Sequence, residues 1–142
     1  MTDNNFYSDI KKVLNQYRTV AVVGASPNPE QSSHIVAKFL KDKGFRIFPV
    51  TPKAEMILGE KAYPNLPSIP EPVEIVDVFR RPEDVLPVAE EAIAIGAKVL
   101  WLQEGIVNEE AAAKAREAGL TVVMDRCMRK ELLRHTGQED LI

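Results

Sequence analysis

Four short stretches of this chain carry the residues best suited to holding an anion. The first is Gly24-Ala25-Ser26, which closes the apolar run TVAVVG and leads through PNPEQSSH to His34. A glycine permits close backbone approach, a serine hydroxyl donates to an oxygen, and Ser32 or Ser33 is placed to cap a following helix. Free N–H groups at such a helix start attract phosphate. The same residues also suit an ordinary tight strand-to-helix turn. The second stretch is Pro49-Val50-Thr51-Pro52-Lys53, at the end of the next apolar run. Dinucleotide folds place an acid there to hold ribose hydroxyls. Here there is none, and Lys53 suits a ribose that carries a phosphate, unless it is a solvated loop lysine. The third, Arg80-Arg81, follows VEIVDVF and offers guanidinium groups that hold phosphate by paired hydrogen bonds, or that pair with Glu83 and Asp84. The fourth is Gln103-Glu104-Gly105, after AKVLWL.

No single motif among these is decisive. Counted from Gly24, the second and third glycines of the dinucleotide fingerprint are replaced by Ser26 and Pro29, and the Gly-Lys-Ser/Thr ending of a P-loop is missing. Two histidines are present: His34 falls early in the expected helix, as a cap, a surface group or a phosphate neighbour, and His135 lies near the tail. Neither has a second histidine at metal-ligand spacing. No set of nucleophile, base and acid can be assembled.

The elements that must position these residues follow from the rhythm of the chain. Apolar runs at Thr19–Gly24, Arg46–Val50, Val73–Phe79, Ala97–Leu102 and Leu120–Met124 alternate with amphipathic stretches. Continuous runs of this kind suit strands buried on both faces of a parallel sheet. Helices are predicted over Ser32–Lys43, stopped by Gly44; over Glu83–Ile95, bent at Pro87 or starting later; and from the cap Asn108 to before Gly119. An amino-terminal helix at about 5–17 and a short helix after Asp125 complete the set, with a flexible tail from about 136 to 142. Thr51–Pro72, with five prolines, reads as a loop with a short edge strand near Lys61–Tyr63. Right-handed crossovers make this a doubly wound, Rossmann-like α/β fold, its first strand between the second and third. Ligands on such sheets bind beyond the strand carboxyl ends, at the reversal of winding, and that puts all four stretches on one rim.

The 142 residues suit one domain of ordinary core size, 45% hydrophobic and 27% charged. The net charge of −3 argues against a general nucleic-acid binder. A single cysteine, Cys127, excludes an intrachain disulfide, and no apolar run approaches the ~20 residues that span a bilayer. The polar start MTDNNFYSD lacks a signal-peptide stretch, so a cytoplasmic setting is expected.

The chain resembles the small stand-alone CoA-binding domain proteins, relatives of the nucleotide-binding domain of the succinyl-CoA synthetase α subunit. The matching stretches are VAVVGAS (20–26), FPVTPK (48–53), ILGEKAYPNLPSIPEPVEIVDVFRRPE (57–83), GAKVLWLQEGIVNEEAA (96–112) and AGLTVVMDRC (118–127). The resemblance implies that Gly24, Ala25 and Ser26 face a pyrophosphate, with Pro52 and Lys53 beside the adenosine 3′-phosphate. It implies that Phe79 and Arg80 line the opposite wall, and that Gln103 and Gly105 border the pantetheine path. Thr51 stands where many members carry Asn, and the synthetase's phosphohistidine domain has no counterpart. Cys127 is either a buried, inert thiol or close enough to the rim for a mixed disulfide with the CoA thiol. The expected function is binding of CoA or acyl-CoA without catalysis of its own, as a sensor or carrier and as monomer or homodimer. The alternatives are an NADP-dependent oxidoreductase and an interaction domain with a vestigial nucleotide site.

Overall fold

A computed structural model of the protein describes residues 3–136. The expected flexible tail lies, but for residue 136, outside the described residues. The central sheet has five parallel strands: β1 (Thr19–Val23), β2 (Arg46–Val50), β5 (Ile75–Val78), β6 (Val99–Leu102) and β7 (Thr121–Val123). The intervening β3 (Met56–Ile57) and β4 (Glu60–Lys61) form a separate antiparallel hairpin. The order in the large sheet is β2-β1-β5-β6-β7, so β1 lies between the second and third long strands, as the crossover rule requires. Among the described residues five helices cover it: α1 (Asp3–Gln16), α2 (Ser32–Asp42), α3 (Val85–Ala94), α4 (Glu109–Glu117) and α5 (Met128–Thr136).

Strand alternation sends successive side chains to opposite faces, and each face has its own apolar layer. Val20, Val22, Ile75, Val99 and Trp101 pack against Val13 of α1, Val36 and Leu40 of α2, and Met128 of α5. Ala21, Val23, Val76, Val78, Leu100 and Leu102 pack against Val85 and Ala89 of α3 and Ala111 and Ala115 of α4. Both layers are closed to solvent, which explains the unbroken apolar runs.

Local chemistry sets the helix ends. Asn108 Oδ1 accepts the Ala111 N–H at 2.9 Å and caps α4. A 3-10 turn at Pro82–Asp84 delays α3, so Pro87 falls in its first turn, where an absent N–H has no helical acceptor to miss. The serine caps expected for α2 are not formed. Its cap residue is Gln31, without a side-chain hydrogen bond, and Ser32 is already helical. The stretch read as a loop contains more order than its prolines suggest. Leu58 and Gly59, both at positive φ, turn the hairpin, and Tyr63 bridges Val50 in parallel.

Candidate functional site

The reversal of winding lies between β1 and β5, and a cleft of roughly 600 Å³ opens beyond the carboxyl ends of β1, β5 and β6. Its walls come from the start of α2 on one side and the start of α5 on the other. Gly24, Ser26, Phe79, Arg80 and Gln103 all line it. Ligand pockets commonly measure about 300–1,000 Å³, so a nucleotide-sized molecule fits.

The glycine turn has two jobs. Gly24 has φ +90°, and a Cβ there would run into the Phe79 carbonyl oxygen, so only glycine lets β1 pass so close to the end of β5. The Gly24 and Ala25 N–H groups both donate to the Val50 carbonyl, at 3.0 and 3.3 Å. Those two donors are therefore committed to the β2 side, and Ala25 is buried. Ser26 holds the loop differently: its Oγ accepts the Asn28 N–H at 3.0 Å, which leaves the hydroxyl proton to donate outward. His34 Nδ1 donates to the Ser26 carbonyl at 2.9 Å, which makes it a brace for this loop. Beyond the loop, Gln31, Ser32 and Ser33 bring the uncapped start of α2 to the cleft. A helix start with no capping side chain and no acid in its first turn carries unspent N–H donors and the positive end of the dipole.

Four cationic side chains line the cleft: Arg80, Arg81, Arg129 and Lys130. Their availability differs. Arg81 is well exposed and pairs with Asp84 at 3.0 Å and Glu83 at 3.6 Å, the carboxylates expected for it. Lys130 pairs with Glu104 at 2.9 Å. Arg129 stacks over the Phe39 ring at 5.3 Å. Arg80 is half-buried, and no carboxylate pairs with it among the described residues. Arg80 and Arg129 are thus the guanidinium groups with charge to offer an anion.

The remaining expected residues are spread more widely. Gln103 is buried, and its Oε1 accepts the Met128 N–H at 3.1 Å, so it caps α5 while forming part of the cleft wall. Gly105 lies outside the lining, its N–H donated to Asp125 Oδ1 at 2.6 Å. Pro52, with Thr51, lines a second hollow of roughly 540 Å³ beside the hairpin. Lys53 is exposed and lines neither cavity. Thr51 Oγ1 accepts the Lys53 N–H at 3.2 Å, the local turn bond that an asparagine side chain also makes. Cys127 is half-buried and lines the main cleft, so a deeply buried thiol is not what the fold makes of it. His135, near the tail, bonds the buried Glu131 at 3.1 Å.

Two contributors escaped the sequence reading, Arg129 and Lys130. Both stand at the start of α5, directly after the β7 loop. The same rim rule that selected Arg80 would have selected them.

One further residue is conspicuous. Asp77, at the centre of β5, is fully buried, and neither carboxyl oxygen has a hydrogen-bond partner. Burial alone pushes its carboxyl well above the usual carboxylate range. The folded chain therefore keeps a proton that the unfolded chain releases. This contribution to stability is greatest below the ordinary carboxylate pKa and is lost as pH rises towards the folded value.

Strand order, crossovers and a cleft at the switch point define a doubly wound, Rossmann-like α/β protein. Within that class, the family model described as CoA binding domain matches residues 18–132, and the chain belongs to that family. It is similar to the uncharacterised protein YneT of Bacillus subtilis, with 44% identity over 122 residues that cover 86% of this chain and 90% of that one. A solved structure of a hypothetical protein from Pyrococcus horikoshii OT3 is 45% identical, covers 90% of each chain and superposes with a TM-score of 0.88. More distantly, an ADP-forming acetate–CoA ligase of Archaeoglobus fulgidus is 27% identical over 78% of this chain. That match spans only 18% of the ligase. Among the described residues no helix is long and apolar enough to cross a membrane, and no cluster of side chains could hold a metal ion.

Proposed function

We propose that the protein binds coenzyme A or acyl-CoA in the cleft between the starts of α2 and α5, as a carrier or sensor without catalysis of its own. One observation carries this reading. In a chain of the CoA binding domain family, a cleft at the switch point gathers unspent N–H donors from α2 and the unpaired Arg80. These groups suit a pyrophosphate. The apolar side chains of Ile35, Val36, Phe79 and Ile106 line the same cleft and suit the pantetheine arm. Neither histidine lines the cleft: His34 braces the Ser26 carbonyl and His135 bonds Glu131, which favours binding over proton-transfer chemistry there.

The adenosine 3′-phosphate is assigned to the Pro52 side, with Lys53 as its cation. An exposed ion pair contributes ~0.2–1 kcal/mol, so CoA is expected to bind up to about fivefold tighter than 3′-dephospho-CoA. Calorimetric titration of both ligands into the wild type and Lys53→Ala tests this. Equal affinities for the wild type would remove Lys53 from the site, and NADPH binding better than CoA would favour an oxidoreductase instead.

Cys127 reports on occupancy. Iodoacetamide is expected to alkylate it in the free protein, and saturating CoA to slow that reaction by about tenfold, since a ligand in the cleft blocks the thiol. An unchanged rate, followed by mass spectrometry, would place CoA away from this wall.

A further inference from the structure

The parallel register makes Asp77 more than a buried oddity. Its neighbours across the sheet are Val22 in β1 and Trp101 in β6. Two residues further along the three strands stand Gly24, Phe79 and Gln103, all of which line the cleft. Residues two apart in a strand share a face and lie about 6.6 Å apart. The Asp77 carboxyl therefore sits one layer beneath the cleft floor, on the face covered by α1, α2 and α5.

Nothing in that layer answers it. β1 presents Val20 and Val22, β6 presents Val99 and Trp101, and α2 presents Ser33, Val36, Ala37 and Leu40. From α1 come Ile10, Val13 and Leu14, and from α5 come Met128, Leu132 and Glu131, the last held by His135 and Arg134. Cys127 packs at the edge of the layer. None of these titratable or charged groups perturbs Asp77, whose sole influence is burial.

We propose that Asp77 is a positioning residue for the cleft, which keeps its floor closed and ligand-competent only while its carboxyl carries a proton. On losing that proton to solvent, the carboxylate has no donor in the apolar layer and must be hydrated. The cleft is the open volume above it on the same face, so water enters through the Gly24, Phe79 and Gln103 floor. CoA affinity then falls as pH rises. This deepens the proposed function and rests on CoA as the ligand of the cleft.

Trp101 is the chain's one tryptophan and the register neighbour of Asp77, and Cys127 is its one cysteine and lines the cleft. Both report without a ligand. Wild type and Asp77→Asn are compared from about pH 5 to about pH 10, a span that covers buried carboxyls. Wild-type Trp101 emission is expected to titrate, and that of Asp77→Asn to stay flat. The wild-type to variant ratio of Cys127 alkylation rates should rise at the same midpoint. Above that midpoint CoA affinity of the wild type should fall up to ~tenfold per pH unit relative to the variant, while titration of CoA itself cancels in the ratio. Constant ratios, or parallel Trp101 curves, would overturn the proposal. So would a Trp101 transition that leaves alkylation and affinity untouched. Should Asp77→Asn fail to fold, the near-isosteric Asp77→Leu takes its place in the same ratios. CoA that binds neither protein at any pH would sink the proposed function, while the two ligand-free reporters still judge Asp77.

Discussion

Gly24→Ala is expected to cost the fold about 3 kcal/mol, the sum of a strained backbone and a forced separation of two central strands. The φ of +90° penalises any side chain, and the Phe79 carbonyl oxygen occupies the place of the new methyl. β1 and β5 are neighbours at the centre of the sheet, so the strain is not relieved at an edge. Gly119→Ala provides the control. It shares the conformation, with φ +95°, but a Cβ there meets nothing within 4 Å, and a loss of only about 1 kcal/mol is expected. Urea denaturation of both variants measures the difference. Similar losses would show that backbone conformation alone matters, and that the approach of β1 to Phe79 is loose.

Arg80→Ala is expected to weaken CoA binding about 10- to 100-fold, because hydrogen bonds to charged groups contribute ~1.5–3 kcal/mol. Its neighbour sharpens the test. Arg81 also lines the cleft, but its guanidinium is spent on Asp84 and Glu83 and is 74% exposed. Arg81→Ala should change affinity about twofold at most. Arg80→Lys should recover part of the loss, since an ammonium keeps the charge without the planar fork. Calorimetry on the three variants separates these outcomes. A larger loss at Arg81 than at Arg80 would reverse the roles assigned here.

Much of this architecture is legible in the sequence because both faces of the sheet are covered. The runs at Val20, Ile47, Val76, Leu100 and Val123 carry no alternation, and only a parallel, doubly wound sheet explains five of them between amphipathic stretches. Asn108 and Pro87 mark helix starts through chemistry that acts locally, so they too are readable. The hairpin of β3 and β4 is not. Its strands are two residues long, and the first of its two positive-φ turn positions is Leu58 rather than asparagine or glycine.

The site was legible as a rim and illegible as a set of contacts. Gly24, Ser26, Phe79, Arg80 and Gln103 converge because strand ends converge, a property of topology alone. Which donors remain free depends on tertiary bonding that spacing does not show. Gly24 and Ala25 spend their N–H groups on Val50, Arg81 spends its charge on Asp84, and α2 goes uncapped although serines stand at its start. Asp77 was hidden for a different reason. One acid within IVDVF does not disturb an apolar run, and only burial on both faces reveals that it has no partner.

Native mass spectrometry of the protein mixed with CoA tests the central claim most directly. One CoA per chain is predicted, saturating in about the micromolar range and greatly reduced in Arg80→Ala. A spectrum of bare protein at millimolar CoA, or an adduct equally abundant in that variant, would contradict it.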